Sequence, residues 1–162
     1  MTTAHRIFQL AQEGADAYRM FKLRRAGAGT LFVNEVINNL KFLVAQELGN
    51  GVVNQFLSKA NRQMVDFWLE DEHTIVEVEF NILTLPPVLE KEVFKALLAK
   101  DAGIDIRRLV LIGDPGAALL SHAPTPASII EWVERQHQIR VEIWDLNDMS
   151  VPDTEVRAPR DA

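Results

Sequence analysis

Hydrophobic positions recur at three- and four-residue intervals through the first third of the chain, then switch to alternation. From Thr3 to Arg25, Ile7, Leu10, Ala11, Ala15, Tyr18 and Phe21 fall at helical spacing, and Gly27 and Gly29 end the run. A second helical stripe, Phe32, Val36, Leu40, Leu43, Val44 and Leu48, follows Thr30 as candidate cap and stops at Gly49–Gly51. Val52, Val53, Phe56 and Leu57 then predict a strand, and Gln63–Leu69 and Thr74–Ile82 predict two more. The stretch from Thr84 to Gly103 has prolines in its first turn, Leu89, Val93, Leu97 and Leu98 at helical spacing, and a glycine stop. Arg107–Gly113 reads as a buried strand, and Asp114–Ala117 as a turn. A helix capped by Thr125, with Pro126 at its first position, leads to a last strand over 139–146. The expected order is α-α-β-β-β-α-β-α-β. A meander followed by helical crossovers implies an α/β fold with a mixed five-stranded sheet flanked by helices. Residues 1–146 form the expected single domain, and 147–162 a loose tail.

Composition narrows the function classes. The chain has 162 residues, 48% of them hydrophobic, which is enough for a real core. No apolar run approaches a membrane span, and the first residues lack the apolar core of a secretory signal. There is no cysteine, which excludes disulfides, thiolate metal sites and a cysteine nucleophile and fits a cytoplasmic protein. The net charge of −6 argues against bulk-charge binding of nucleic acid, so any such contact needs a local basic patch.

The alternating segment holds three carboxylates. Closing a hairpin on Glu70–His73 pairs residues whose numbers sum to 143, so Asp66 falls opposite Glu77 on one face, with Glu79 beside them. Val65, Phe67, Val76 and Val78 then make the opposite, core face. Two carboxylates roughly 5 Å apart at Cβ repel by about 3 kcal/mol at an effective dielectric of ~20. A divalent cation reverses that sign, and Mg²⁺ suits carboxylate oxygens; a protonated general acid is another use. A half-exposed strand with a solvated acidic face shows the same alternation.

The "VDF" of Val65–Phe67, the "EVEFN" of Glu77–Asn81 and the following "VLIG" strand resemble the PD-(D/E)xK nuclease superfamily, with the order of elements over roughly residues 30–113. The likeness is nearest to the BamHI/BglII branch of type II restriction endonucleases, since Glu79 stands where Lys is usual; Val65 stands where proline is usual. The resemblance implies a restriction endonuclease-like fold and Mg²⁺-dependent (or Mn²⁺-dependent) hydrolysis of phosphodiester bonds in duplex DNA, by a homodimer. It implies Asp66, Glu77 and the Val78 carbonyl as metal ligands, Glu79 as the group that orients or deprotonates water, and Glu35 as an added helix acid. Asn81 matches an Asn of that branch.

Phosphate contacts fall to Lys59 and Arg62, just before the acid strand, and to Arg19, Lys22, Arg24 and Arg25. His5, His73, His122 and His137 have no ligand spacing and read as surface or loop residues. Neither a Walker loop nor a Gly-x-Ser-x-Gly elbow occurs. Two other readings stay open: a nuclease-like fold without catalysis acting as a binding or regulatory module, and an α/β protein with no nucleic-acid role.

Overall fold

The structure is a computed structural model that describes residues 1–24, 30–57, 63–79, 85–113 and 122–146, leaving aside the side chains of 15–24, 30–33 and 85. Its elements are α1 (Thr3–Arg24), α2 (Thr30–Leu48), β1 (Val53–Phe56), β2 (Met64–Leu69), a 3₁₀ turn (Glu70–Glu72), β3 (Thr74–Glu79), α3 (Leu85–Asp101), β4 (Arg108–Gly113), α4 (Pro124–His137) and β5 (Arg140–Asp145). The strands form one open sheet in the order β1-β2-β3-β4-β5. The first two pairings are antiparallel and the last two parallel. This is the expected α/β class with a mixed sheet. The tail at 147–162 lies outside the described residues.

Short turns suffice for the antiparallel strands, whereas each parallel pairing needs a crossover. Both crossovers step the same way across the sheet, so a common hand places α3 and α4 on one face. There Leu89, Val93 and Val133 pack with Ile75, Leu109, Leu111 and Val141. The other face is covered by α1 and α2, where Ile7, Leu40 and Val44 cluster with Phe67, Val76, Val110 and Ile112. Successive β4 residues thus enter opposite clusters, and a strand covered on both sides reads as the continuous run Leu109–Ile112.

Three expectations change. Leu43 is exposed, because the buried stripe of α2 is the narrower Val36–Leu40–Val44 series at four-residue steps. Thr125 is not a cap: α4 begins two residues earlier, at Pro124, with Ala123 as its cap and proline in its first turn. His5 is buried rather than at the surface, tilted against Trp144 at 4.9 Å between ring centres, because the first turn of α1 lies on the sheet. Two glycine stops hold, with Gly49 at φ +93° after α2 and Gly103 at φ +91° after α3, in the left-handed region where glycine has no Cβ penalty, while Gly27 and Gly29 lie outside the described residues.

The cap of α1 comes from far along the chain. Glu72, in the turn between β2 and β3, accepts the Thr3 N–H at 2.5 Å and the Ala4 N–H at 3.5 Å. A carboxylate there satisfies free amides and complements the helix dipole. Glu72→Ala is expected to cost about 1 kcal/mol and to lower the thermal midpoint by roughly 2–4 °C. An unchanged melting curve would show that the contact contributes nothing.

Candidate active site

The register between β2 and β3 is the one the turn predicts: Phe67 pairs with Val76, Trp68 with Ile75 and Leu69 with Thr74. The ladder does not continue to Asp66 and Glu77. Beyond it, side chains take over the main-chain partners. The Asp66 N–H donates to Glu77 Oε2 at 3.3 Å, and the Val78 N–H donates to Asp66 Oδ2 at 3.1 Å. The two acids form a reciprocal clasp where the strands part.

Alternation lapses at the same place. Val65 was expected to share a core face with Phe67, Val76 and Val78. It packs instead in the α3–α4 cluster, while the other three lie in the α1–α2 cluster. The two acids likewise reach different helices. Asp66 Oδ1 is 2.6 Å from Lys41 Nζ on α2, and Glu77 Oε1 accepts from Lys95 Nζ on α3 at 3.0 Å.

Burial separates the three carboxylates. Glu77 is only 4% exposed, so the solvated-face reading does not apply to it. Sequence alone shows alternation but not that α3 covers this face. Glu79 remains about one-third exposed and accepts from Lys91 Nζ at 3.1 Å. Between the two lysines lies Glu92, 1% exposed, with Oε1 at 2.7 Å from Lys91 Nζ and Oε2 at 2.5 Å from Lys95 Nζ. Among the described residues, the two lysine ammoniums are the partners of the Glu92 carboxylate.

Burial, then the negative charges of Asp66 and Glu92, push the Glu77 carboxyl well above its usual range, against the pull of Lys95. Burial disfavours the Lys95 ammonium, but Glu77 and Glu92 outweigh it and hold that group above its ordinary value. Lys95 is therefore charged at neutral pH, and Glu77 holds a proton more readily than a free carboxylate.

The remaining predicted residues fare differently. Glu35 is exposed on α2, and Lys41, not Glu35, is the residue of that helix that reaches Asp66. Val78 buries its side chain beneath α1 and α2 and brings its amide to Asp66. Arg19, Lys22 and Arg24 lie on α1, in the part whose side chains are left aside, and Arg25, Lys59, Arg62 and Asn81 lie outside the described residues.

Sequence reasoning missed Lys41, Lys91, Glu92 and Lys95. One signal was available. Glu92 interrupts the buried series Leu89, Val93 and Ala96 of α3, and an acid in an apolar stripe needs a partner.

Two carboxylates are within the usual protein share for Mg²⁺, which keeps several waters, and here their four oxygens meet Lys41, Lys95 and the amides of Asp66 and Val78. Among the described residues no three acid or histidine side chains converge to enclose one. A groove of about 600 Å³ lies away from the acids, between the C-terminal halves of α3 and α4. No described helix is long and apolar enough to cross a membrane. Compared with known proteins, the chain matches no family model, no curated protein and no solved structure.

Proposed function

We propose that this chain is a divalent-cation-dependent DNA endonuclease of restriction endonuclease-like fold, hydrolysing phosphodiester bonds with Asp66 and Glu77 at its centre. The observation that carries the reading is the carboxylate clasp. Two acids on neighbouring strands take over the ladder's hydrogen bonds where the sheet opens, one of them deeply buried. A fold with no use for that charge would keep main-chain pairing there, at no electrostatic cost. The order of meander, crossover helix and parallel strand supports the same reading.

In this reading Asp66, Glu77 and the Val78 carbonyl hold Mg²⁺ or Mn²⁺. Such an ion would supply Lewis-acid stabilisation of charge on a phosphoryl oxygen and a more acidic water. Glu79, half open beside Lys91, orients the attacking water. Lys95 and Lys41 balance the acids until the cation arrives. Arg19, Lys22, Arg24, Arg25, Lys59 and Arg62 supply phosphate contacts, with Asn81 beside the triplet. Cutting both strands calls for a homodimer with paired sites.

A second reading follows from the clasp itself. All four oxygens of Asp66 and Glu77 already meet a lysine or a main-chain amide. A nuclease-like fold settled in that state would serve as a non-catalytic binding module.

Long, sequence-diverse duplex DNA incubated with Mg²⁺ or Mn²⁺ separates the two, with Asp66→Asn alongside. Cleavage by the wild-type chain, lost in the variant, is the expected result. Intact DNA with both metals would overturn the catalytic reading in favour of the module.

A further inference from the structure

A cation reaching Asp66 and Glu77 must displace something. The amides of Asp66 and Val78 cannot leave without opening β2 from β3. The lysines can move. On the Glu77 side the lysine already has a second partner. Lys95 Nζ lies 3.0 Å from Glu77 Oε1 and 2.5 Å from Glu92 Oε2. Glu92 sits three residues earlier on the same helix. It is 1% exposed, and its two oxygens meet the ammoniums of Lys91 and Lys95, one each. A carboxylate this deeply buried depends on its lysine partners, and they on it.

We propose that Glu92 is a positioning residue of the acid site, the carboxylate on which Lys95 stays paired when a divalent cation takes Glu77. The inference rests on the metal-dependent reading above. Lys95 remains an ammonium throughout, and any proton held by Glu77 leaves to solvent as the cation binds. The buried lysine is never left alone, which is what would otherwise penalise metal entry. Lys91 holds the other Glu92 oxygen and bridges to Glu79, which keeps that carboxylate in place while Lys95 leaves Glu77. A lysine with Glu77 as its sole acid would compete with the cation for that carboxylate.

The test is calorimetric titration of MgCl₂ or MnCl₂ into the full chain, without DNA. Glu92→Gln keeps the shape of the side chain and removes its charge, so Lys95 closes on Glu77, and metal affinity is expected to fall by about tenfold or more. Lys95→Met removes the competitor, so affinity equals or exceeds that of the wild type. The double variant behaves like Lys95→Met, because Glu92 acts through Lys95. A purely structural role for Glu92 would leave the double variant as weak as Glu92→Gln.

Wild-type binding that is lost in Asp66→Asn but unchanged in Glu92→Gln overturns this inference and leaves the metal reading standing. No wild-type binding of either metal overturns both. Should Lys95→Met fail to fold, the wild-type chain, Glu92→Gln and Glu92→Asp still decide. The aspartate keeps the charge at a shorter reach, so its loss of affinity is expected to be smaller than that of Glu92→Gln; equal losses would overturn the inference.

Discussion

Lys95→Met is expected to destabilise the fold by about 3–5 kcal/mol at neutral pH in the presence of a chelator, the usual cost of removing one partner from a buried ion pair. For a chain of this size that is roughly a 10 °C fall in thermal midpoint. The lysine is 11% exposed and lies between Glu77 and Glu92, at 4% and 1%. Without it, two buried carboxylates face each other and Asp66 with no cation between them.

The pH dependence has a definite sign. Glu77 is raised in the folded state, so the unfolded chain gives up that proton first. Its contribution is fully present below the ordinary value of 4.5 and is lost as pH rises from there through the folded value. Lys95 is also raised, so its contribution persists through neutrality and is lost only as pH climbs past 10.5 and through its folded value. In the variant the two acids lose their counter-charge. The gap from wild type is therefore expected to narrow at pH 5 and widen at pH 8. Urea unfolding at the two pH values measures this. A gap independent of pH would mean that the loss is one of packing.

Glu142→Gln is expected to cost about 2 kcal/mol at pH 7, toward the low end for a half-buried pair. Arg108 donates to both Glu142 oxygens, at 2.8 and 2.9 Å, and the Trp144 indole N–H donates at 2.9 Å. Arg140 Nε lies 3.1 Å away, and the Arg108 guanidinium lies 5.2 Å from the centre of the Trp144 ring. Burial alone would raise the Glu142 carboxyl, but the bonds and charge of Arg108, then the charge of Arg140 and the Trp144 bond, outweigh it and hold the group below its usual range. A lowered acid contributes above its unfolded value of 4.5, and that contribution is lost as pH falls through the folded value. The wild-type advantage should therefore fade in acid. Unfolding followed by tryptophan fluorescence checks it, and an advantage that survives below pH 3 would sink the assignment.

Local pattern made the elements and one long-range register legible, and the reason is specific. The Glu70–His73 loop is short, so it sets the pairing of Phe67–Leu69 with Thr74–Val76, and just beyond that ladder Asp66 meets Glu77 through side-chain bonds. Glycine needs no context to end a helix, hence the stops at Gly49 and Gly103. What covers a face is not written in that face. Glu77 alternates with Val76 and Val78 whether or not a helix lies over it, so its burial and its lysine were beyond a local reading. Lys41 and Lys95 come from helices on either side of β2 and β3 in the chain, and only the packing of both on the sheet brings them to the acids. The change of side between Val65 and Phe67 follows the end of the β2–β3 ladder, which alternation cannot foresee.

The reach of Glu72 to the start of α1 has a consequence for the order of assembly. The carboxylate lies about seventy residues from the amides it binds. The N-terminal turn can therefore be secured only in molecules whose β2–β3 hairpin already exists. Slow hydrogen exchange at Thr3 and Ala4 would then appear after protection in that hairpin during refolding, not before it. A helix synthesised before that hairpin would thus have its end fastened only after the hairpin forms.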